Sequence, residues 1–442
     1  MKNKTSRQRN AALLITSIVI LAILNVASYF IEIAVNKIFI NLNLELDSLR
    51  LITMLIIGLL LFSTLTLWGI RNHLIKYGFK GAIKHWKLVK QIRRQLIKAN
   101  IYDDDKTSKS SIIFLPKITI DFSKDFDYGK INILNSIKLN KQLSNLDISP
   151  SLNEYVVEQS YLSDDRNNYI YEIYNSKKNR QLTFNSIEHF NNYSSKTDTY
   201  KLFIDESTII NTSHYLITGQ TGTGKTYALY SLILQSLTKS KSYDLYFADP
   251  KDSSLAKIGE KININQTASQ IEDIIFLISE VYCKMNKRKN ELKSKLDKKL
   301  DSDYSDFNMS PIILIIDEYA SFKGVLNTKD KKTRDNVESQ LQSIVLMGRQ
   351  LGCFLWIVMQ KSDATTLPTQ LRDNLIFKVV LGNAESTTYI TTFGPSVNNL
   401  IPHKKMRQGE GIYTYPQIAN YPKLLFFPKL NFDINLAIEK IK

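Results

Sequence analysis

Residues 219–226 read Gly219-Gln220-Thr221-Gly222-Thr223-Gly224-Lys225-Thr226 and fit the pattern GxxxxGK[ST]. The motif follows the apolar stretch 214–218 and precedes 227–238, which has the length and apolar content of a helix. A strand, a glycine-rich turn and a helix in this order form a phosphate-binding loop, or P-loop, because backbone N–H groups and the positive end of the helix dipole meet there. The sequence therefore predicts a nucleotide-binding P-loop.

All eight residues of the motif are candidate ATP-binding residues. Lys225 is expected to reach the β- and γ-phosphates and is also a candidate catalytic residue, because its positive charge can stabilise the transition state. The hydroxyl of Thr226 is expected to ligate Mg²⁺. ATP and Mg²⁺ are thus the predicted cofactors.

A second motif, 312–318, reads Ile-Ile-Leu-Ile-Ile-Asp-Glu. Five consecutive apolar residues predict a strand buried on both faces of a parallel sheet, and ligands bind at the carboxyl ends of such strands. Asp317 is expected to hold Mg²⁺ beside the nucleotide, and Glu318 is the candidate general base for the attacking water. The alternative is a strand that ends in two solvated acids, but the P-loop upstream favours the catalytic interpretation.

A third apolar run, 353–359, ends at Gln360, a polar residue placed to sense the γ-phosphate. Two more apolar runs, 243–248 and 375–381, continue the alternation of strands and helices. This alternation predicts an α/β P-loop NTPase domain with a doubly wound, mostly parallel sheet.

The N-terminal region contains two uncharged apolar stretches, 11–31 and 51–70. A helix of about 20 residues is roughly 30 Å long and matches a bilayer core. A cleaved signal peptide is the alternative for the first stretch, but its length and the second stretch behind it favour a transmembrane hairpin. Basic residues without acids flank the hairpin on both sides, in 1–10 and 71–98, so the positive-inside rule predicts a protein of the cell membrane with both termini in the cytoplasm.

The net charge of the chain favours a polyanionic partner. The chain has 442 residues and a formal net charge of +16, which favours nucleic acid or an anionic membrane as a partner, although biased coding toward lysine is an alternative source of the charge. The basic stretch 71–98 is expected to lie on lipid headgroups, with a solvated helix face or a DNA contact as alternatives. Cys283 and Cys353 belong to no metal-binding pattern and fit a reducing compartment.

The predicted organisation has five parts along the chain. Residues 111–200 are expected to form a small α/β adaptor with strands near 112–122, 154–162 and 168–175 and a helix over 129–144. Residues 284–306 are interpreted as a charged helical insertion, either solvated or in contact with a partner. The parts are a transmembrane hairpin (1–72), a basic segment with a linker (73–110), the adaptor (111–200), the ATPase motor (201–430) and a C-terminal tail (431–442).

The motor resembles that of the FtsK/SpoIIIE family of membrane DNA translocases in the order of several motifs. The resemblance covers about 203–415 and implies a RecA-like motor that hydrolyses ATP and works as a ring that threads DNA, with a hexamer as the expected size. Beyond the P-loop, the motifs that carry it are Asp249-Pro250-Lys251, Asp317-Glu318-Tyr319-Ala320, Gly348-Arg349-Gln350-Leu351-Gly352, Met359-Gln360-Lys361 and Gly409-Glu410-Gly411-Ile412-Tyr413.

The chain departs from the family at its arginine finger, because Ser386-Thr387 stands where the family has Ser-Arg. Arg349 and Arg372 are the candidate replacements. The family's cell-division members also carry a winged-helix DNA reader, which we do not expect in this protein because the sequence reaches Lys442 without one.

The layout of two membrane spans, adaptor and motor resembles the coupling proteins of Gram-positive conjugative plasmids and integrative elements. This implies delivery of processed DNA to a transfer channel, with a relaxase or relaxosome and channel components as partners. The alternatives are a translocase for chromosome or plasmid segregation and a protein-secretion ATPase of the type VII kind.

Overall fold

The computed structural model describes residues 4–38, 44–104, 112–296, 301–363, 365–395, 401–402 and 404–441. These residues form two compact units, one of 1–156 with 162–176 and the other of 157–161 with 177–442. The second part of the predicted linker, 105–110, and residues 297–300 of the charged insertion lie outside the described residues. The five-part organisation read from the sequence remains a prediction.

The first unit begins with three long helices, α1 (Ser6–Ile38), α2 (Asp47–Arg71) and α3 (Leu74–Lys98). Two of them, over Arg9–Ile38 and Asp47–Arg71, are long and apolar enough to cross a membrane. Their apolar side chains point outward: Leu59 is 68% exposed. Polar side chains join the two helices: the Arg50 guanidinium lies 2.6 Å from the Glu32 carboxylate, and the Asn25 side chain donates to the Arg50 carbonyl at 2.9 Å.

Two small sheets complete this unit. One joins β1 (Lys4–Thr5), β2 (Asp103–Asp104) and β3 (Ile112–Phe114). The other has the order β4-β5-β7-β6 and is built from β4 (Ile118–Phe122), β5 (Tyr128–Leu134), β6 (Tyr155–Leu162) and β7 (Asn168–Asn175). A short helix, α4 (Asn140–Leu143), and a 3₁₀ turn, Ser149–Ser151, connect the strands β5 and β6.

The helix predicted over 129–144 was wrong. Residues 128–134 form the strand β5, which pairs with β4 on one side and β7 on the other. Within it Ile131 and Ile133 are fully buried and Lys130 is exposed, the two-residue period of a strand. Only the last part of the stretch, Asn140–Leu143, is helical.

The second unit is built around an eight-stranded sheet. Its sheet strands are β11 (Tyr215–Gly219), β12 (Asp244–Ala248), β13 (Thr267–Ala268), β14 (Ile312–Ile316), β15 (Cys353–Met359), β16 (Phe377–Leu381), β17 (Glu410–Tyr415) and β18 (Ala419–Phe426). Their order is β13-β12-β14-β15-β11-β16-β17-β18, parallel up to β16 and antiparallel over the last two strands.

Helices cover both faces of this sheet. Its helices are α5 (Ile187–Ser194), α6 (Lys225–Thr238), α7 (Ser254–Asn263), α8 (Ile271–Leu296), α9 (Tyr319–Leu326), α10 (Lys331–Leu351), α11 (Thr369–Asn374), α12 (Ser386–Phe393) and α13 (Ile434–Ile441). Four short strands pair outside the main sheet: β8 (Thr183–Phe184), β9 (Lys201–Phe203), β10 (Ile209–Asn211) and β19 (Lys429–Leu430). One core joins the sheet to α8, α9 and α10, and a second joins it to α6 and α7. The predicted doubly wound P-loop fold is therefore confirmed.

The strand order decides which side chains meet. The strand β15 pairs with β11 on one side and with β14 on the other, as in Thr218 beside Met359 and Ile316 beside Ile357. The loop after β15 therefore lies between the P-loop and the acids that follow β14. All seven residues of β15 are buried because both of its faces and both of its edges are covered.

Candidate nucleotide site

The P-loop connects the end of β11 to the start of α6. Gly222 and Gly224 have φ of 84° and 100°, a region that side-chain-bearing residues rarely adopt. At Gly224 a Cβ would also come within 2.7 Å of the Gly409 nitrogen. These two positions therefore require glycine, and the resulting turn leaves Gln220, Thr221 and Thr226 exposed.

The ammonium of Lys225 lies inside this turn. It donates to the carbonyl oxygen of Gly219 and, at 3.2 Å, to that of Gln220. Burial lowers the pKa of Lys225, and the carboxylates of Glu318 and Asp317 oppose that shift. The cation is thus held at the mouth of the loop, where phosphate oxygens can replace the two carbonyls as acceptors.

Asp317 follows the last residue of β14 and points into the same edge of the sheet. Its N–H donates to the Ala248 carbonyl at 2.9 Å, and its Oδ1 accepts the Glu318 N–H at 3.0 Å. Burial, with the nearby Asp249 carboxylate second, raises the pKa of Asp317 to about 6. A carboxylate whose charge is this poorly compensated fits a divalent cation, and the exposed Thr226 hydroxyl fits as a second oxygen ligand.

Glu318 is buried and adopts φ 48°, a left-handed conformation that is unusual for a residue with a side chain. Its Oε2 lies 3.2 Å from the Lys251 ammonium, and its Oε1 accepts the Gln360 N–H at 3.4 Å. The carboxylate thus contacts residues that follow both neighbours of β14, Lys251 after β12 and Gln360 after β15. Strained backbone of this kind is concentrated at functional sites.

Lys251 is a residue of this site to which the sequence analysis assigned no role. It follows β12 in a turn that Asp249 holds together, since the Asp249 carboxylate accepts the N–H groups of Lys251 at 3.1 Å and Ser253 at 2.8 Å. The signal was present, because Lys251 belongs to a motif at the end of an apolar strand. Its partner Glu318 is 67 residues away in sequence, so only the strand order β12-β14 reveals the pair.

A second missed element covers the P-loop from the other side. The Gly409 N–H donates to the Thr223 carbonyl at 2.9 Å. Glu410, which is buried, accepts from the Lys404 ammonium at 2.6 Å and from the Arg407 N–H at 2.9 Å. This ion pair fixes the segment 404–409 against the turn that binds phosphate.

The two candidate arginine fingers lie elsewhere. Arg349 is in the last turn of α10, next to Gly348, which packs on the first residue of β15. Arg372 is in the last turn of α11, before β16, and its guanidinium donates to the Asp373 carboxylate at 3.0 Å. Both are at the amino-terminal edge of the strands, opposite the P-loop, so neither joins the nucleotide site of its own chain.

The structure thus brings Lys225, Asp317, Glu318 and Gln360 to one edge of the sheet with the P-loop. These features fit a nucleotide bound together with a divalent cation. The glycines let the backbone approach the phosphates closely, a lysine ammonium lies at the mouth of the loop, and a buried carboxylate lacks a compensating positive charge. The site defines the chain as a P-loop NTPase.

Part of the chain is similar to a known protein family. Residues 193–363 match the model of the FtsK/SpoIIIE family. The FtsK domain-containing protein YdcQ of Bacillus subtilis (strain 168) is 31% identical over 196 residues, which are 44% of this chain and 40% of that protein. The match therefore spans less than half of the curated relative.

One solved structure shares the fold. The pCW3 conjugation coupling protein TcpA, in its monomer form with ATPγS, has a TM-score of 0.50 at 17% identity, over 80% of this chain and 100% of that chain. EssC (ATPases 2 and 3) from Geobacillus thermodenitrificans has a TM-score of 0.43 at 16% identity, over 60% of this chain and 51% of that one. At 17% identity the likeness to TcpA is one of fold alone.

Proposed function

We propose that this chain is a membrane-anchored ATPase that moves DNA, and that it delivers processed DNA to a conjugative transfer channel. The observation that carries the proposal is that the P-loop, Asp317 and Glu318 meet at one edge of the sheet, in a chain that matches the FtsK/SpoIIIE family over 193–363 and has two apolar helices of membrane-spanning length. The conjugative role extends to this chain the role of the conjugation coupling protein TcpA, whose fold is similar over 80% of this chain. A relaxase and channel components are the partners that this role requires.

The chemistry assigned to the site uses residues of four strand ends. ATP carries the phosphate that is cleaved, and Mg²⁺ would neutralise the negative charge that develops on it. The P-loop N–H groups and Lys225 hold the phosphates, while Thr226 and Asp317 hold the cation. Glu318 accepts a proton from the attacking water, and the Lys251 ammonium, 3.2 Å away, orients this carboxylate. Gln360 emerges between them and reports the presence of the γ-phosphate.

We propose that the active form is a ring, with a hexamer as the expected size. Arg349 and Arg372 lie at the opposite edge of the sheet from their own P-loop, so either can act as an arginine finger only on the nucleotide of another copy. A ring that threads DNA must hold phosphates without reading bases, because translocation crosses every sequence.

DNA should stimulate ATP hydrolysis by the purified full-length protein with little dependence on base sequence. Basic side chains are expected to make the contacts, so binding should weaken with salt with a log–log slope of roughly −0.9 per phosphate contacted on duplex and about −0.7 on a single strand. Phosphate release and DNA binding, measured from low to moderate salt, check both expectations. If DNA neither binds nor stimulates hydrolysis at low salt in a preparation that forms rings, the DNA proposal is wrong and the protein-secretion alternative takes its place.

The membrane topology can be tested with single cysteines. In a Cys283→Ser background, which leaves only the buried Cys353, we expect Glu45→Cys to react with an impermeant thiol reagent in whole cells and Arg94→Cys to stay unlabelled. The reason is that the basic flanks remain in the cytoplasm. A permeant reagent should label both variants. Labelling of Arg94→Cys by the impermeant reagent would reverse the topology and separate the motor from cytoplasmic ATP.

A further inference from the structure

The helix α3 begins where the second apolar helix ends and folds back against that end. His73, with φ 54°, and Gly78, with φ 66° at a kink inside α3, turn the chain between α2 and the main part of α3. His85, in the middle of α3, is buried with its Nδ1 3.2 Å from the Asn72 side-chain oxygen, and Asn72 in turn donates to the Trp68 carbonyl at 2.8 Å. Residues of α3 near His85 therefore lie level with the end of α2.

The start of α3 combines exposed apolar side chains with lysines. Ile75 is 101% and Phe79 66% exposed, and the Phe79 ring lies 6.3 Å from the ring of Trp68 in α2. Further along, the Lys90 ammonium lies 4.6 Å from the centre of the Trp86 ring. Large apolar and aromatic side chains beside lysines at the end of a membrane helix are typical of segments that lie in the headgroup region.

A cavity of about 340 Å³ opens on this part of α3. It is lined by Lys80, Ile83, Lys84, Lys87, Leu88, Leu152, Asn153, Glu154 and Tyr155. Glu154 is the one acid among these lining residues, and its carboxylate is paired with the Lys84 ammonium at 2.6 Å. The lining thus carries two more cations than anions, at Lys80 and Lys87, which are both exposed.

The wall of the cavity is held rigidly. The side-chain amides of Asn153 and Gln91 exchange two hydrogen bonds, at 3.1 and 2.8 Å. The Lys84 ammonium also lies 5.1 Å from the centre of the Tyr155 ring. These contacts fix the segment 152–155 on α3. The cavity lies between the segment and the helix.

We propose that this cavity binds the phosphate-bearing headgroup of an anionic phospholipid from the cytoplasmic leaflet. The lysines at its rim match the phosphate, and Ile83, Leu88 and Leu152 offer apolar surface to the glycerol and the first acyl carbons. A lipid fits better than DNA because the cavity lies level with the end of α2, beside exposed apolar side chains that a nucleic acid would leave uncovered. The inference rests on the proposed membrane anchoring and is independent of the DNA-moving role.

Lipid retention by the full-length protein tests this site. Native mass spectrometry in a neutral detergent should count dioleoylphosphatidylglycerol bound to the wild type and to the double variant Lys80→Gln/Lys87→Gln. Each lysine near anionic lipid contributes about 1 kcal/mol, so the double variant should bind this lipid roughly 30-fold more weakly. The matched control is Arg94→Gln/Lys98→Gln, which removes the same charge from exposed positions of the same helix outside the cavity and should change binding less than about twofold. The charge-conserving variant Lys80→Arg/Lys87→Arg should bind the lipid as tightly as the wild type.

Each other outcome overturns the proposal in a recognisable way. Equal losses in the cavity variant and in the control would mean general attraction between charges, and equal binding of dioleoylphosphatidylcholine would mean no selection for anionic lipid. If inorganic phosphate bound as tightly as the lipid, the cavity would be a small-anion site. If a short DNA duplex displaced the lipid, the lysines would belong to a DNA-binding surface. The ATPase rate of the same variants, expected to match the wild type in detergent, separates failure of this site from failure of the nucleotide site.

Discussion

Glu318→Gln should lower the rate of ATP hydrolysis by at least about 100-fold, the expected cost of losing a general base, while ATP still binds. Glutamine keeps the shape of the side chain and can still accept the Gln360 N–H, but it cannot take a proton from water. The P-loop and Asp317 are unchanged, so the affinity for the nucleotide should remain. Phosphate release and the binding of a fluorescent ATP analogue, measured on the same preparation, separate the two effects.

Two further variants calibrate this result. Glu385→Gln removes an exposed carboxylate that pairs with Lys361 at 2.9 Å, and its rate should stay within about twofold of the wild type. Lys225→Ala should abolish hydrolysis by a different route, because the phosphates lose their cation and binding itself weakens. Hydrolysis by Glu318→Gln at the wild-type rate would remove Glu318 from the role of base.

The nucleotide site was predictable because its parts are local in sequence. The P-loop is one continuous motif, and β14 and β15 are runs of consecutive apolar residues whose ends are marked by Asp317 and Gln360. Burial on both faces of a parallel sheet leaves such strands no polar positions, so their bounds were predicted without error at 312–316 and 353–359.

The contacts that complete the site were not predictable, because they depend on how distant strands are ordered. The pairing of Lys251 with Glu318 requires β12 beside β14, and the contact of Gly409 with the P-loop requires β17 to return past β16. The location of Arg349 at the far edge of the sheet likewise follows from the direction of α10, which no local pattern reveals.

The first unit shows where a local pattern was misread. In 129–144 the isoleucines 131 and 133 alternate with polar residues over a few positions only, and the apolar residues that follow fit a helix as well. Pairing with both β4 and β7 selects the strand, and this tertiary contact overrides a weak local preference. The lysines of α3 illustrate the same limit, because their sequence spacing predicts a basic face but not the cavity that the segment 152–155 closes over it.

The most direct test of the central claim is ATP-driven displacement of streptavidin from biotinylated DNA by the full-length protein in lipid nanodiscs. A ring that moves along DNA pushes off a bound block, whereas an ATPase that only binds DNA does not. The account predicts that the wild type releases streptavidin in the presence of ATP and Mg²⁺ from single-stranded or duplex DNA. Release should fall to the spontaneous rate with Glu318→Gln or with a non-hydrolysable ATP analogue. Hydrolysis of ATP by DNA-bound wild-type protein with no release above the spontaneous rate, from either end of either kind of DNA, would contradict it.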